Sequence, residues 1–226
     1  NNEKLITSFH FDNIVQIGSP SFTSDGNKII FPALEMSGKS DLYIFTIADN
    51  SLKRLTNDYY DDRDPDVSPD GKYIVFSSDR TSYGVKNMYN LFIYDLENNT
   101  INYLTTGEQV DFSPQFSPDG TKVVYTSTSG GLQNIWITKL VKEPAPDGKG
   151  EIIKTEGDKT EKVTDFTTAS FDPKWAGDNK IVFASYEDGG ISVRMLNHVS
   201  KLIDTPVTSK TFSFADTKNF WKFNKI

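Results

Sequence analysis

The sequence predicts an all-β fold: a β-propeller of four-stranded antiparallel blades, with four complete repeats and partial blades at both ends. Three observations predict it. The chain repeats itself with a period of about 50 residues. Its apolar runs are short, β-branched and aromatic, and bounded by turn formers. No stretch carries the apolar stripe of a helix, so helices of any length are not expected.

The repeat opens on a turn. Four segments align: Ser19-Pro20-Ser21-Phe22-Thr23-Ser24-Asp25-Gly26, Asp64-Pro65-Asp66-Val67-Ser68-Pro69-Asp70-Gly71, Ser113-Pro114-Gln115-Phe116-Ser117-Pro118-Asp119-Gly120 and Asp172-Pro173-Lys174-Trp175-Ala176-Gly177-Asp178-Asn179. In Ser-Pro-Asp-Gly, proline pre-sets φ, the Asp carboxylate bonds back to nearby N–H groups, and glycine accepts positive φ. Turn chemistry accounts for every residue, which outweighs a metal-binding reading of the three carboxylates. The first copy replaces Ser-Pro with Thr23-Ser24, and the fourth is one residue short, so its turn must differ.

Each turn leads to a second strand, Ile29-Ile30-Phe31, Ile74-Val75-Phe76, Val123-Val124-Tyr125 or Ile181-Val182-Phe183. A third follows at Leu42-Tyr43-Ile44-Phe45, Leu91-Phe92-Ile93-Tyr94, Ile135-Trp136-Ile137 and Ile191 to Met195. These runs are nearly continuously apolar, which suits sheets covered on both faces. An apolar residue plus Thr marks the fourth strand: Leu55-Thr56, Leu104-Thr105, Val163-Thr164 and Val207-Thr208, with Ile6-Thr7 as an extra copy. The threonines are 49, 49, 59 and 44 residues apart.

The expected blades are a partial one at 1–10, whole ones at 18–57, 63–107, 112–166 and 171–209, and a partial one at 212–226. Residues 141–162, with Pro144, Pro146, Gly148 and Gly150, form an insertion between the third and fourth strands of the third blade. It is read as an exposed hairpin or loop, a solvated insertion before a partner arm. This count, with a start at Asn1-Asn2-Glu3, predicts a segment of a larger propeller; a closed four- or five-bladed ring is the competing expectation.

Composition narrows the chemistry. The 226 residues carry a net charge of −7, which opposes binding to a phosphate backbone. Without cysteine, thiol catalysis, disulfides and zinc–thiolate sites are excluded. No apolar run approaches the roughly 20 residues that span a bilayer as a helix. His10, between Phe9 and Phe11, and His198 are the only imidazoles, and no nucleophile and carboxylate are arranged around either. Neither a Gly-x-Ser-x-Gly elbow nor a phosphate-binding loop occurs. No catalytic residue, cofactor or metal is expected. The cluster Asp58, Asp61, Asp62 and Asp64 could hold a hard cation, but Arg63 interrupts it and a solvated face is the plainer reading.

The run Asp64-Pro65-Asp66-Val67-Ser68-Pro69-Asp70-Gly71-Lys72-Tyr73-Ile74-Val75-Phe76-Ser77-Ser78-Asp79-Arg80 resembles the TolB-type, WD-like propeller repeat, and the likeness extends over nearly the whole chain. The resemblance implies a propeller without fixing one function. Similar blades occur in periplasmic TolB, which contacts envelope lipoproteins. They also occur in gating propellers of prolyl-oligopeptidase-type and tricorn-type peptidases, and in pectin-degrading lyases. By this resemblance we expect a non-enzymatic scaffold for protein–protein interaction in the periplasm or another extracytoplasmic setting, as part of a larger assembly. The alternatives are an accessory propeller of a peptidase or other hydrolase, and a glycan-binding propeller.

Propeller geometry places the loops between successive blades on the same rim as the loops between second and third strands. Tyr59, Tyr60, Asp61, Asp62, Arg63, Arg80, Tyr83, Asp111, Phe112 and Phe171 fall there as the candidate partner-binding residues. Tyr and Arg combine large area with a directed polar group.

Overall fold

The computed structural model describes residues 8, 13–81, 88–145 and 151–204. Within them the chain forms four antiparallel sheets in chain order. In the first, β1 (Ile14–Ile17) and β2 (Ser21–Phe22) both pair with β3 (Lys28–Glu35), which pairs with β4 (Ser40–Thr46), and that with β5 (Ser51–Arg54). The second runs β6 (Asp62–Val67), β7 (Tyr73–Ser78), β8 (Asn90–Asp95) and β9 (Thr100–Tyr103). The third runs β10 (Asp111–Phe116), β11 (Lys122–Ser127), β12 (Asn134–Pro144) and β13 (Glu151–Lys162). The fourth holds β14 (Ala169–Trp175), β15 (Lys180–Glu187) and β16 (Gly190–Asn197), followed by α1 (Val199–Asp204). These sheets are the blades of a propeller. Thr7, Val207-Thr208 and the partial blades expected at 1–10 and 212–226 lie outside the described residues.

Side chains of successive strand residues point to opposite faces, so a continuously apolar strand serves two neighbours at once. Every residue of β7 and β8 is buried. Ile74, Phe76, Phe92 and Tyr94 pack against Ile30, Leu42 and Ile44 of the first blade. From the other face Tyr73, Val75, Leu91 and Ile93 meet Phe116, Val123 and Tyr125 of the third. A third core joins Val124, Ile135 and Ile137 to Ile181, Phe183 and Leu196. Each core is thus a seam between consecutive blades.

Polar ties cross the same seams near the inner strands. Asp66 accepts the Phe116 N–H at 2.8 Å and the Ser21 hydroxyl at 3.1 Å, and Gln115 accepts the Trp175 N–H at 2.6 Å. Inner strands β6, β10 and β14 each carry a register shift. Asp64, Ser113 and Asp172 sit at these bulges with φ of 49°, 50° and 52°, each just before a proline. The kinks aim polar groups at one another: Ser113 N–H donates to Asp64 Oδ2 at 3.1 Å, and the Ser113 hydroxyl to Asp172 Oδ1 at 2.8 Å.

The Ser-Pro-Asp-Gly segments are turns. Asp70 Oδ1 accepts the Ser68 hydroxyl at 2.6 Å and the Lys72 N–H at 3.1 Å, and Gly71 adopts φ 72°. Asp119 repeats the pattern with Ser117 and Thr121, and these donors hold its carboxyl down at about 2 against the opposing effect of burial. Of the two forms expected for the residue-141 insertion, the described residues take the hairpin, and it is packed as well as solvated. It is a hairpin that prolongs β12 and β13, with a register shift after Thr138. Ile153 enters the core between the second and third blades, the Thr155 hydroxyl donates to the Leu104 carbonyl at 2.8 Å, and Lys142 lies 5.5 Å from the Tyr73 ring centre. The insertion clasps the neighbouring blade.

Candidate partner-binding rim

The apolar-Thr signpost closes each blade at the rim. Thr56, Thr105 and Thr164 accept the N–H of Leu42, Leu91 and Ile135 at 2.9, 2.8 and 2.8 Å, giving the first core residue of the third strand a partner. The hydroxyl proton then goes onward. Thr105 donates to Asp111 Oδ2 at 2.6 Å, Thr56 makes the same contact with Asp62, and Thr164 donates to Asn134 Oδ1 at 2.9 Å. Asp62 and Asp111 open the next blade's inner strand, so each Thr–Asp contact staples two blades.

Both carboxylates are fully buried. Burial pushes each above the ordinary carboxylate range, and at Asp62 the Arg80 guanidinium pulls the other way. Arg80 Nη2 donates to both Asp62 oxygens at 2.7 Å, and Nη1 lies 3.1 Å from Asp58. The guanidinium stands over the rings of Tyr60, Phe76 and Phe92 at 5.2, 5.4 and 5.7 Å. Asp62, Arg80 and Asp111 were expected as rim residues; they occupy the rim's interior and hold blades together.

Carboxylate oxygens of Asp41, Asp58 and Asp62 lie within 4.8 Å of one another, a donor set of the type a hard cation takes. Two guanidinium groups already provide positive charge there. Arg80 pairs with Asp58 and Asp62, while Arg54 pairs with Asp41 and lies 2.9 Å from Glu35. Asp58 N–H also points to Asp41 Oδ1, at 3.4 Å. The arrangement is a junction of the first two blades in which two guanidinium groups offset part of the charge of four carboxylates.

The outward part of the rim is smaller than expected. Tyr59 is 86% exposed, with Lys39 Nζ 3.7 Å from its ring centre. Tyr60 is 43% exposed beside it. Arg63 pairs with Asp61 and stacks 4.8 Å over Tyr89, whose hydroxyl donates to Asp61 Oδ2 at 2.8 Å. Burial, then the Asp61 contact and charge, push the Tyr89 hydroxyl far above its ordinary value, so it stays a donor. Asp61 N–H is held by Asp79 Oδ1 at 2.8 Å. Lys39, Tyr59, Tyr60, Asp61, Arg63 and Tyr89 therefore form one prearranged aromatic and charged patch. Phe112 and Phe171 are half-buried at the repeat position of Arg63 on their own inner strands. Tyr83 lies outside the described residues. Lys39 and Tyr89 escaped the sequence reading, although both precede a third strand on the expected rim. The stapling role of Asp62 and Asp111 did leave a signal: each follows its threonine by six residues.

A family model for the dipeptidyl peptidase IV N-terminal region matches residues 68–158. Among solved structures, TolB from Acinetobacter baumannii superposes with a TM-score of 0.60 at 24% identity, covering 88% of this chain and 44% of that one. A puromycin hydrolase gives 0.59 at 13% identity, covering 84% and 28%. A putative dipeptidyl aminopeptidase IV from Bacteroides ovatus gives 0.58 at 15% identity, covering 87% and 35%. The chain thus spans less than half the length of each.

Proposed function

The chain has a TolB-like propeller fold, and we propose that it works as a non-enzymatic module that binds a protein partner through the Tyr59–Tyr60–Arg63 patch, in the cell envelope. The observation that carries this reading is the patch itself. An open phenol ring under a lysine ammonium, beside an arginine held by Asp61 and stacked on Tyr89, offers rigid area and directed donors without further ordering. The net charge of −7 suits a partner with basic or amphipathic segments, its acidic groups steering encounter. The envelope setting is supported by the likeness to TolB, and no described helix is long and apolar enough to cross a membrane.

A pull-down from envelope extract tests the reading. Tyr59→Ala combined with Arg63→Ala should lose the captured protein while keeping the far-UV circular dichroism of the parent. Capture unchanged by the double substitution sinks the proposal. A second reading has its own support. The dipeptidyl peptidase IV-type match and the two hydrolase superpositions favour an accessory propeller that gates a catalytic domain. A parental open reading frame with a hydrolase domain in the same chain would decide for it.

A further inference from the structure

A cleft of about 300 Å³ lies between the second and third blades. Its walls are the turn from β6 to β7, the turn from β10 to β11 and the residue-141 hairpin. Turns between first and second strands stand on the rim opposite the Tyr59–Arg63 patch, because an antiparallel strand reverses at each end. The repeat explains why a cleft forms at this seam. At the previous one, the Ser24 hydroxyl donates to the Pro69 carbonyl at 2.7 Å and ties the two turns together. Pro69 holds the place of Ser24 in the next copy and has no hydroxyl to offer Pro118. The hairpin closes the gap instead, through Leu140, Lys142 and Ile153.

The cleft is apolar inside and acidic at its mouth. Tyr73, Phe116 and Ile153 are buried, whereas Asp70 and Asp119 are exposed. The turn donors go to Oδ1 of each aspartate, which leaves Oδ2 for an outside charge. Against the opposing effect of burial, the Ser68 hydroxyl, the Lys72 N–H and the Lys142 ammonium hold Asp70 below the ordinary carboxylate range. Burial, then Asp95, Asp70, Glu151 and Glu97, raise the Tyr73 hydroxyl, so the ring stays a neutral phenol in a negative field. Lys72 and Lys142 act on Asp70, and Lys122 Nζ lies 3.6 Å from Asp119 Oδ2. These ammonium groups are fewer than the carboxylates, so the mouth keeps an excess of negative charge.

The chain supplies its own stand-in for a ligand. Lys142 is exposed on the hairpin, yet its ammonium lies 5.5 Å from the Tyr73 ring centre and within reach of the Asp70 charge. A long apolar stem ending in a cation is therefore the chemistry this cleft accepts. We infer that it takes an arginine side chain from a protein partner, with the guanidinium between Asp70 and Asp119 over the Tyr73 ring, and that Lys142 holds this place in the free chain. Arginine suits it better than lysine, because a planar guanidinium stacks on a ring while its edge donates to carboxylates. The volume is at the small end for ligand clefts and fits one side chain rather than a larger molecule. The cleft is separate from the rim patch, and its role stands whether or not that patch binds a partner.

Amide NMR spectra of the full chain, titrated with N-acetyl-arginine methylamide, test this. Saturable shifts are expected at Tyr73, Phe116 and Thr121, and none with the norleucine or glutamate analogue. Asp70→Asn combined with Asp119→Asn keeps the turn acceptors and should weaken binding about tenfold. Lys142→Ala should tighten it about threefold by removing the internal competitor, and it keeps the inference testable should the double variant fail to fold. No shift at the cleft in the parent overturns the inference, as does equal binding of the norleucine analogue. A Lys142→Ala affinity that is unchanged or lower overturns it too. Free arginine binding more tightly than the capped probe would assign the cleft to a free amino acid and overturn a protein partner as the source.

Discussion

Arg80 grips Asp62 through both carboxylate oxygens at 2.7 Å; Asp62 opens the first strand of its blade and Arg80 lies two residues past the end of the second. The carboxylate has no exposure, and the guanidinium is roofed by Tyr60, Phe76 and Phe92. Removing one partner leaves the other charge without compensation in a poorly hydrated place. Arg80→Met should cost about 3–5 kcal/mol, whereas Asp62→Leu with Arg80→Met should recover much of that loss. Urea titrations of the two variants and the parent check both halves.

Thr105 carries a different weight, because its hydroxyl both accepts and donates. Thr105→Val keeps the shape but orphans the Leu91 N–H and removes a donor from Asp111. A loss of about 1–3 kcal/mol is expected, with Thr105→Ser close to the parent. Hydrogen exchange should show the Leu91 amide opening faster in the valine variant.

The clasp is tested at Ile153, which is 5% exposed. Ile153→Ala should cost about 2–5 kcal/mol, as for a core isoleucine. An arm serving only a partner would tolerate the same change, so an unaltered urea midpoint would show that the hairpin does not brace the second blade.

At Asp119 the effect depends on pH. Its folded value of about 2 lies below an unfolded value of about 3.9, so its contribution is complete above about pH 4 and vanishes as the pH falls through 2. Asp119→Ala should therefore lose about 1 kcal/mol at neutral pH, from the donors to Oδ1, and nothing once the parent is protonated. Asp62 and Asp111 act in the opposite sense. Their raised values favour the folded state below the unfolded value and lose that effect as pH rises through the folded one. The difference between parent and variant, followed by acid-limb melting curves, isolates Asp119.

The blades were legible because a repeat exposes its rules more than once. The Asp-Gly turns, the two-sided second and third strands and the terminal threonines follow from local chemistry seen in several copies. The rim was less legible. Asp62, Arg80 and Asp111 have the composition of a binding surface, and only the fold reveals that Asp62 and Asp111 are fully buried and that Arg80 is turned onto Asp62. Lys39 became visible only when it lay over Tyr59. The insertion misled for a related reason. Proline and glycine suggested a solvated hairpin or loop, while Ile153 owes its burial to residues of the second blade.

The three apolar seams are separate, each sealed by two consecutive blades. Because each seam is closed by nearest neighbours alone, opening one leaves more distant seams intact. The second and third blades are each buried on both faces, and the Ile153 hairpin fastens them to one another. Loosening either of them therefore breaks two apolar seams at once.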